Sequence, residues 1–134
     1  MKTQEMPPGF CLGIALIDNQ HARFFELMNR MIEADTRGDN RDLVAQIIAE
    51  LVAYVADHFH TEEDLMARCG YPDLGEHVLL HIQFAGLVEN FHTKYVNEDI
   101  GLDDEVLGDL VEWFSNHIRV EDPKYVLLAR ENGF

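Results

Sequence analysis

The sequence has little positive charge, only two cysteines and only four prolines. Its 134 residues contain 10 Lys and Arg against 25 Asp and Glu, which gives a formal net charge of −15. Nucleic-acid backbones and anionic membrane surfaces would repel such a chain, so neither is expected as a partner. The first residues carry one Lys and no long apolar run, which argues against a secretory signal and a transmembrane span. We therefore expect a cytoplasmic location.

The two cysteines do not form a recognisable motif. Cys11 and Cys69 have no metal-ligand spacing and make no disulfide framework, so we interpret them as ordinary thiols in a reducing compartment. A hydrophobic content of 47% in a chain of this length predicts one compact domain with a real core. We expect that domain to span 1–134, with an N-terminal arm at 1–17, a bundle at about 18–121 and a C-terminal segment at 122–134.

Apolar residues recur at helical spacing, and no segment alternates usefully with the period of a β-strand. Asp18 is the predicted N-cap of the first helix, and Gly38 and Gly70 are predicted to end the first two. The four predicted helices cover about 18–37, about 40–69, a segment that follows the turn Tyr71-Pro72-Asp73 and ends at the polar stretch Asn97-Glu98-Asp99, and about 103–118. Short loops favour an all-α fold of four antiparallel helices, with a short C-terminal helix from Tyr125 to Ala129.

Histidines and a glutamate have an unusual spacing. His58 and Glu62 are four residues apart, and so are His77 and His81. This spacing puts both side chains of a pair on the same face of a helix, within reach of one metal ion. Apolar residues surround both pairs, where an uncompensated imidazole or carboxylate would be costly to bury. Each pair is therefore a candidate for half of a metal site.

The first and fourth helices add His21, His117 and Asp122. The step from His117 to Asp122 is five residues, which on a continuous α-helix would point the side chains about 140° apart. Pro123 disfavours helical geometry at Asp122, so we expect the helix to end or distort there. Every predicted helix then contributes at least one inward ligand.

These residues resemble the hemerythrin family, including its single-domain bacterial members, over nearly the whole chain. The matching pieces are Ile17-Asp18-Asn19-Gln20-His21, His58 to Glu62 followed by Glu63, Gly70-Tyr71-Pro72 before His77 to His81, and Trp113-Phe114-Ser115-Asn116-His117 leading to Asp122 and Tyr125.

The resemblance implies an up-down-up-down antiparallel four-helix bundle that holds two iron ions with an oxo or hydroxo bridge. Carried over position by position, His77, His81 and His117 bind one iron, His21 and His58 bind the other, and Glu62 and Asp122 bridge them. The iron with two histidines then keeps one open position, where O2 should bind. Reversible O2 binding for storage, delivery or sensing follows, without enzymatic turnover. We also expect Phe25, Trp113 and Phe114 to line the cofactor pocket, with Phe114 at a position where family members commonly have Leu.

Two other functions remain open at this point. The same ligands would serve a di-iron enzyme that reduces peroxide or nitric oxide, or that repairs other iron centres. Histidine and carboxylate also suit a structural zinc or manganese site. A reductase or electron-transfer protein is a possible partner in the iron-based hypotheses. Of the remaining histidines, His60 should face solvent, and His92 lies too far along its helix, about 16 Å from His81, to share the site.

Overall fold

A computed structural model describes residues 12–38, 41–97, 101–102 and 104–134. Within these ranges the chain is helical and contains no strand. The elements are α1 (Ala15–Thr36), α2 (Arg41–Cys69), α3 (Leu74–Val96), α4 (Asp104–Asn116), a π-helical turn (His117–Glu121) and α5 (Pro123–Glu131). The predicted all-α bundle with a short C-terminal helix is confirmed. Residues 1–11 of the expected arm, including Pro7 and Pro8, lie outside the described residues.

The first helix begins earlier than its sequence pattern predicted. It starts at Ala15, because Ile14 and Ile17 are already buried and extend the helical periodicity towards the N-terminus. Asp18 is therefore not the N-cap but lies in the first turn, and the helix begins three residues before the predicted position. The Asp18 carboxylate accepts hydrogen bonds from the backbone N–H groups of Leu12, at 2.7 Å, and Gly13, at 3.1 Å. These two hydrogen bonds hold Leu12 and Gly13 against the start of the helix.

We expect Asp18→Ala to lower the free energy of unfolding by about 1 kcal/mol, the usual effect of losing a side-chain acceptor at a helix N-terminus. Urea denaturation of the two proteins measures this difference. Replacing the neighbouring exposed Asn19 with Ala is the matched control and should change stability little. Equal stability of the Asp18 variant and the wild type would contradict this assignment.

The buried side chains form two apolar clusters, one along the bundle and one at its end. The end cluster lies under α5, whose Tyr125 and Ala129 are fully buried against it. Cys69 belongs to this cluster as a free thiol, and burial raises its pKa. On α1 and α2 the residues between the two clusters include His21 and Glu62. A polar layer therefore separates two apolar regions of the core.

The chain passes from α4 to α5 through the π turn. The N–H of Asp122 donates to the carbonyl of His117 at 3.1 Å, a bond across five residues rather than four. This wider turn returns the side chain of Asp122 to the face of His117, which an α-helical turn would not do. Asp122 itself is helical, with φ −65° and ψ −38°. The helix is distorted here, as expected, but the expectation that Pro123 disfavours helical geometry at Asp122 is wrong, since Pro123 occupies the first turn of α5, where a missing N–H costs little.

Candidate metal centre

The structure brings the seven predicted ligand residues into one buried layer. Their exposed fractions are 0% to 2%. They are His21, His58, Glu62, His77, His81, His117 and Asp122. Five imidazoles and two carboxylates in an apolar interior are costly unless they are paired or bind a metal.

The ligands divide into two groups that share Glu62. One group consists of Glu62 with His77, His81 and His117, and the other of Glu62 with His21 and His58. In each group the candidate ligand atoms lie within 4.8 Å of one another. We call the histidines of these groups the three-histidine set and the two-histidine set.

Glu62 presents a different oxygen to each set. Its Oε1 lies 2.7 Å from Nε2 of His77, and its Oε2 lies 3.3 Å from Nε2 of His58. The carboxylate thus spans the space between the two histidine sets.

Asp122, which lies between the π turn and α5, also places its carboxylate between the two histidine sets. Its Oδ1 lies 3.1 Å from Nε2 of His117 and 3.2 Å from Nε2 of His77. Its Oδ2 lies 3.5 Å from Nε2 of His21. Each carboxylate therefore contacts both histidine sets.

Several buried atoms of the layer have no hydrogen-bond partner among the described residues. Nε2 of His58, Oε2 of Glu62 and both carboxylate oxygens of Asp122 make only the ion-pair contacts given above and no hydrogen bond. Leaving such a group unsatisfied costs about 1–3 kcal/mol, more for a charged group. Bound metal ions would satisfy these atoms, and a nitrogen and oxygen donor set suits iron, zinc or manganese. The residues present therefore fit a metal centre.

The pKa values of the buried side chains depend on their contacts with one another. Burial alone would raise the pKa of Glu62, but four imidazoles within reach outweigh it and hold that pKa well below its ordinary value. Burial likewise lowers the pKa of His117, but Asp122 and Glu62 outweigh it and raise that pKa to about 9. The two carboxylates therefore stay ionised in the buried layer, and their negative charge would favour a bound cation.

A family model described as the Hemerythrin HHE cation binding domain matches residues 12–129. The chain belongs to the hemerythrin family. A bacteriohemerythrin of Pseudomonas aeruginosa is 38% identical over 121 residues, covering 90% of this chain and 77% of the relative. One from Clostridium acetobutylicum is 36% identical over 121 residues, covering 87% and 94%.

Solved structures show the same fold. Wild-type hemerythrin matches with a TM-score of 0.83 at 24% identity, covering 96% of this chain and 98% of that one. A leucine-to-phenylalanine mutant matches with a TM-score of 0.87 at 25% identity and the same coverage.

No described helix of this hemerythrin-family chain is long and apolar enough to cross a membrane.

Two side chains orient the histidines from outside the layer. Gln20 Oε1 lies 2.7 Å from Nδ1 of His58, and Glu63 Oε2 lies 2.8 Å from Nδ1 of His81. The phenol of Tyr54 donates a hydrogen bond to the carbonyl of Gln20. Such contacts fix which ring nitrogen is free to bind a metal. Sequence reasoning assigned no role to these residues, although Gln20 and Glu63 are each adjacent to a predicted ligand.

We expect Glu63→Leu to speed the loss of metal from the centre by about 10–100-fold, the usual effect of removing such a contact. The measurement is the rate at which a chelator removes metal from the loaded protein. Asp64→Leu is the control, since Asp64 is 51% exposed and pairs only with Arg68 among the ion pairs of the described residues. Identical rates for the two variants would show that Glu63 does not support His81.

Aromatic rings enclose the two sets differently. Phe114, fully buried, makes ring contacts with His21 at 6.0 Å and His58 at 5.9 Å between centroids, so it lies beside the two-histidine set. Trp113 stacks on His117 at 4.9 Å, beside the three-histidine set. Phe25 is buried against Phe24.

Three further observations complete the site. Phe59, which sequence reasoning did not single out, stacks on His81 at 3.8 Å with its ring nearly parallel. His60 is exposed, as expected, and His92 is half-buried on α3. Neither His60 nor His92 belongs to the ligand groups found among the described residues.

Proposed function

We propose that these seven side chains hold two iron ions and that the resulting centre binds O2 reversibly. The observation that carries the proposal is that each carboxylate presents one oxygen to each histidine set. His77, His81 and His117 would hold one iron, and His21 and His58 the other. Glu62 and Asp122 would bridge them. Membership of the hemerythrin family supports iron as the metal.

When bound, the iron pair supplies the electrons for reversible O2 binding. O2 would bind at the two-histidine set, where the protein offers one histidine fewer. The protein side chains control access to that side. Phe114 stands against His21 and His58, and Phe24 packs on Phe114 with 4.0 Å between ring centroids. These rings exclude water next to the two-histidine set.

Among the described residues, two phenols lie near the carboxylates of the site. The phenol of Tyr54 donates to the carbonyl of Gln20, and burial raises its pKa, with Glu62 and Asp122 adding to the effect. Tyr125 makes ring contacts with Tyr71 and with His77 of the three-histidine set, and its buried hydroxyl lies within reach of Glu62; burial raises its pKa, and Glu62 and Asp122 add to the effect. Both phenols are therefore weak acids, which favours release of O2 over its reduction and supports binding rather than turnover.

Two measurements test the proposal. Metal analysis of protein grown with ample iron should give two irons per chain. An oxygen electrode should record O2 uptake by reduced protein that stops once the centre is filled and reverses when O2 is withdrawn. Continuous O2 or peroxide consumption in the presence of a reductant would instead indicate an enzyme. Zinc or manganese in place of iron would indicate a structural centre.

A further inference from the structure

The two histidine sets have outer contacts of the same kind but of different charge. Nδ1 of His58, in the two-histidine set, meets the amide oxygen of Gln20 at 2.7 Å. Nδ1 of His81, in the three-histidine set, meets a carboxylate oxygen of Glu63 at 2.8 Å. An amide has no net charge, whereas an ionised carboxylate is negative and accepts hydrogen bonds only. The protein therefore places a charged partner behind one set and a neutral partner behind the other.

Thr61 fixes the orientation of the Gln20 amide. The hydroxyl of Thr61 donates its proton to the carbonyl of Asp57 at 3.0 Å. Because a hydroxyl has one proton, it can only accept from Gln20, whose Nε2 lies 3.3 Å away. The oxygen end of the amide must then face His58. The backbone carbonyl of Gln20 also accepts a hydrogen bond from the phenol of Tyr54, which holds this residue against α2.

The orientation of the amide determines which nitrogen of His58 is free. An amide oxygen can only accept, so neutral His58 must donate its Nδ1–H to Gln20. Nε2 of His58 then carries the lone pair, and it is the buried atom that lies 3.3 Å from Oε2 of Glu62 without a hydrogen bond. An amide turned the other way would present N–H groups to Nδ1 and would put the proton on Nε2. Thr61 and Gln20 together therefore keep Nε2 available for a metal.

The charge of the outer partner changes how strongly a histidine donates electrons to a metal. A carboxylate attracts the Nδ1 proton of an imidazole more strongly than a neutral amide does. The ring becomes more basic at Nε2 as a result, and a more basic ligand stabilises the oxidised state of a redox metal. His81 is therefore the stronger donor and His58 the weaker one.

We propose that the neutral amide of Gln20, held in place by Thr61, keeps iron at the two-histidine set easy to reduce and so keeps O2 binding reversible. This inference rests on the proposed function, since it concerns the iron pair. Electrons that pass from the iron pair to O2 on binding must return when O2 leaves, and a weaker donor at His58 favours their return. Gln20 acts through His58 and is not itself a ligand.

Two reciprocal substitutions test the role of charge. Gln20→Glu and Glu63→Gln exchange a neutral for a charged group, and the reverse, with little change of shape. The midpoint potential of the iron pair should fall in Gln20→Glu and rise in Glu63→Gln. A tenfold change in the balance of oxidation states, at the low end of the effect of such contacts on metal binding, corresponds to about 59 mV for one electron. Spectroelectrochemical titration measures both shifts.

Asn19→Asp is the control for Gln20→Glu. Asn19 is exposed, so the variant adds the same charge one residue away but outside the contact with His58. Its midpoint potential should equal that of the wild type. Shifts of the same sign in Gln20→Glu and Glu63→Gln would overturn the inference, and so would a shift in Gln20→Glu no larger than that in Asn19→Asp.

Zinc binding by the metal-free protein tests the same contacts without redox chemistry, since zinc has one stable oxidation state. The affinity for zinc should rise about 10-fold in Gln20→Glu and fall about 10-fold in Glu63→Gln, as measured by competition with a chelator. Weaker zinc binding in both variants would overturn the role of Gln20 alone. Absence of iron from the wild-type protein would instead contradict the proposed function.

Substitutions of Thr61 test the orientation of the amide. Thr61→Val keeps the shape of the side chain but removes the acceptor for Nε2 of Gln20. The amide can then turn its N–H groups towards His58, and the affinity for zinc should fall about 10-fold. Thr61→Ser keeps the hydroxyl and should bind zinc like the wild type. Equal affinities of the Val and Ser variants would show that Thr61 does not orient Gln20.

Discussion

A Glu62→Ala variant is expected to lose the proposed iron pair, because Glu62 is shared by both ligand groups. Metal that is bound at about 1,000 times its dissociation constant stabilises the folded protein by about 4 kcal/mol. Losing it should lower the Tm of the protein prepared with iron by about 15 °C. Metal analysis and differential scanning calorimetry measure both effects on the same samples.

His60→Ala is the matched control for Glu62→Ala. His60 lies two residues away on the same helix and is exposed, so its replacement should change neither iron content nor Tm noticeably. His81→Ala should also lose iron and lower the Tm, but less than Glu62→Ala, since His81 is 2% exposed and belongs to the three-histidine set alone. A Glu62→Ala protein that keeps two irons and the wild-type Tm would show that Glu62 is not a bridging ligand.

Phe114→Ala should have two large consequences. Phe114 is fully buried and packs on Phe24, so its truncation should cost about 3–5 kcal/mol of stability. The space created would lie beside His21 and His58, where water could enter. If O2 binds on this side as proposed, the O2-dependent absorption of the reduced protein should decay faster in the variant, by about 10-fold for each 1.4 kcal/mol by which the activation barrier to decay falls.

The Phe114→Leu variant distinguishes the loss of stability from the faster decay of the O2-dependent absorption. Leucine fills most of the volume of the phenyl ring and is common at this position in the hemerythrin family, so the loss of stability should be small. Both variants are compared with the wild type at matched iron content, by following absorption after mixing reduced protein with O2. An Ala variant that is destabilised but shows unchanged decay would make Phe114 a core residue only.

The sequence predicted the ligand layer well because the α-helix has a fixed geometry. His58 with Glu62, and His77 with His81, are four residues apart, and any α-helix places such pairs on one face. The ends of the first two helices were also predictable, since Gly38 and Gly70 have positive φ, where glycine is favoured. The proposed ligand roles of these residues, the single-domain boundaries and the cytoplasmic location stay predictions.

The remaining features depend on contacts that spacing does not encode. A step of five residues from His117 to Asp122 fits either a broken helix or a π turn, and only the bond between their backbones distinguishes them. Asp18 resembles an N-cap in sequence, but the burial of Ile14 and Ile17 starts the helix earlier. The contact of Gln20 with His58 joins two helices. Such long-range contacts cannot be deduced from periodicity within one helix.

The central claim is that the buried layer holds an iron pair that binds and releases O2. The most direct test is the absorption spectrum of anaerobically reduced, iron-loaded protein as O2 is added and then removed. We predict that a visible band appears on addition of O2, disappears when O2 is withdrawn, and returns over repeated cycles with the iron retained. A spectrum that converts once to an oxidised form and does not recover without a reductant, or that never responds to O2, would contradict reversible binding.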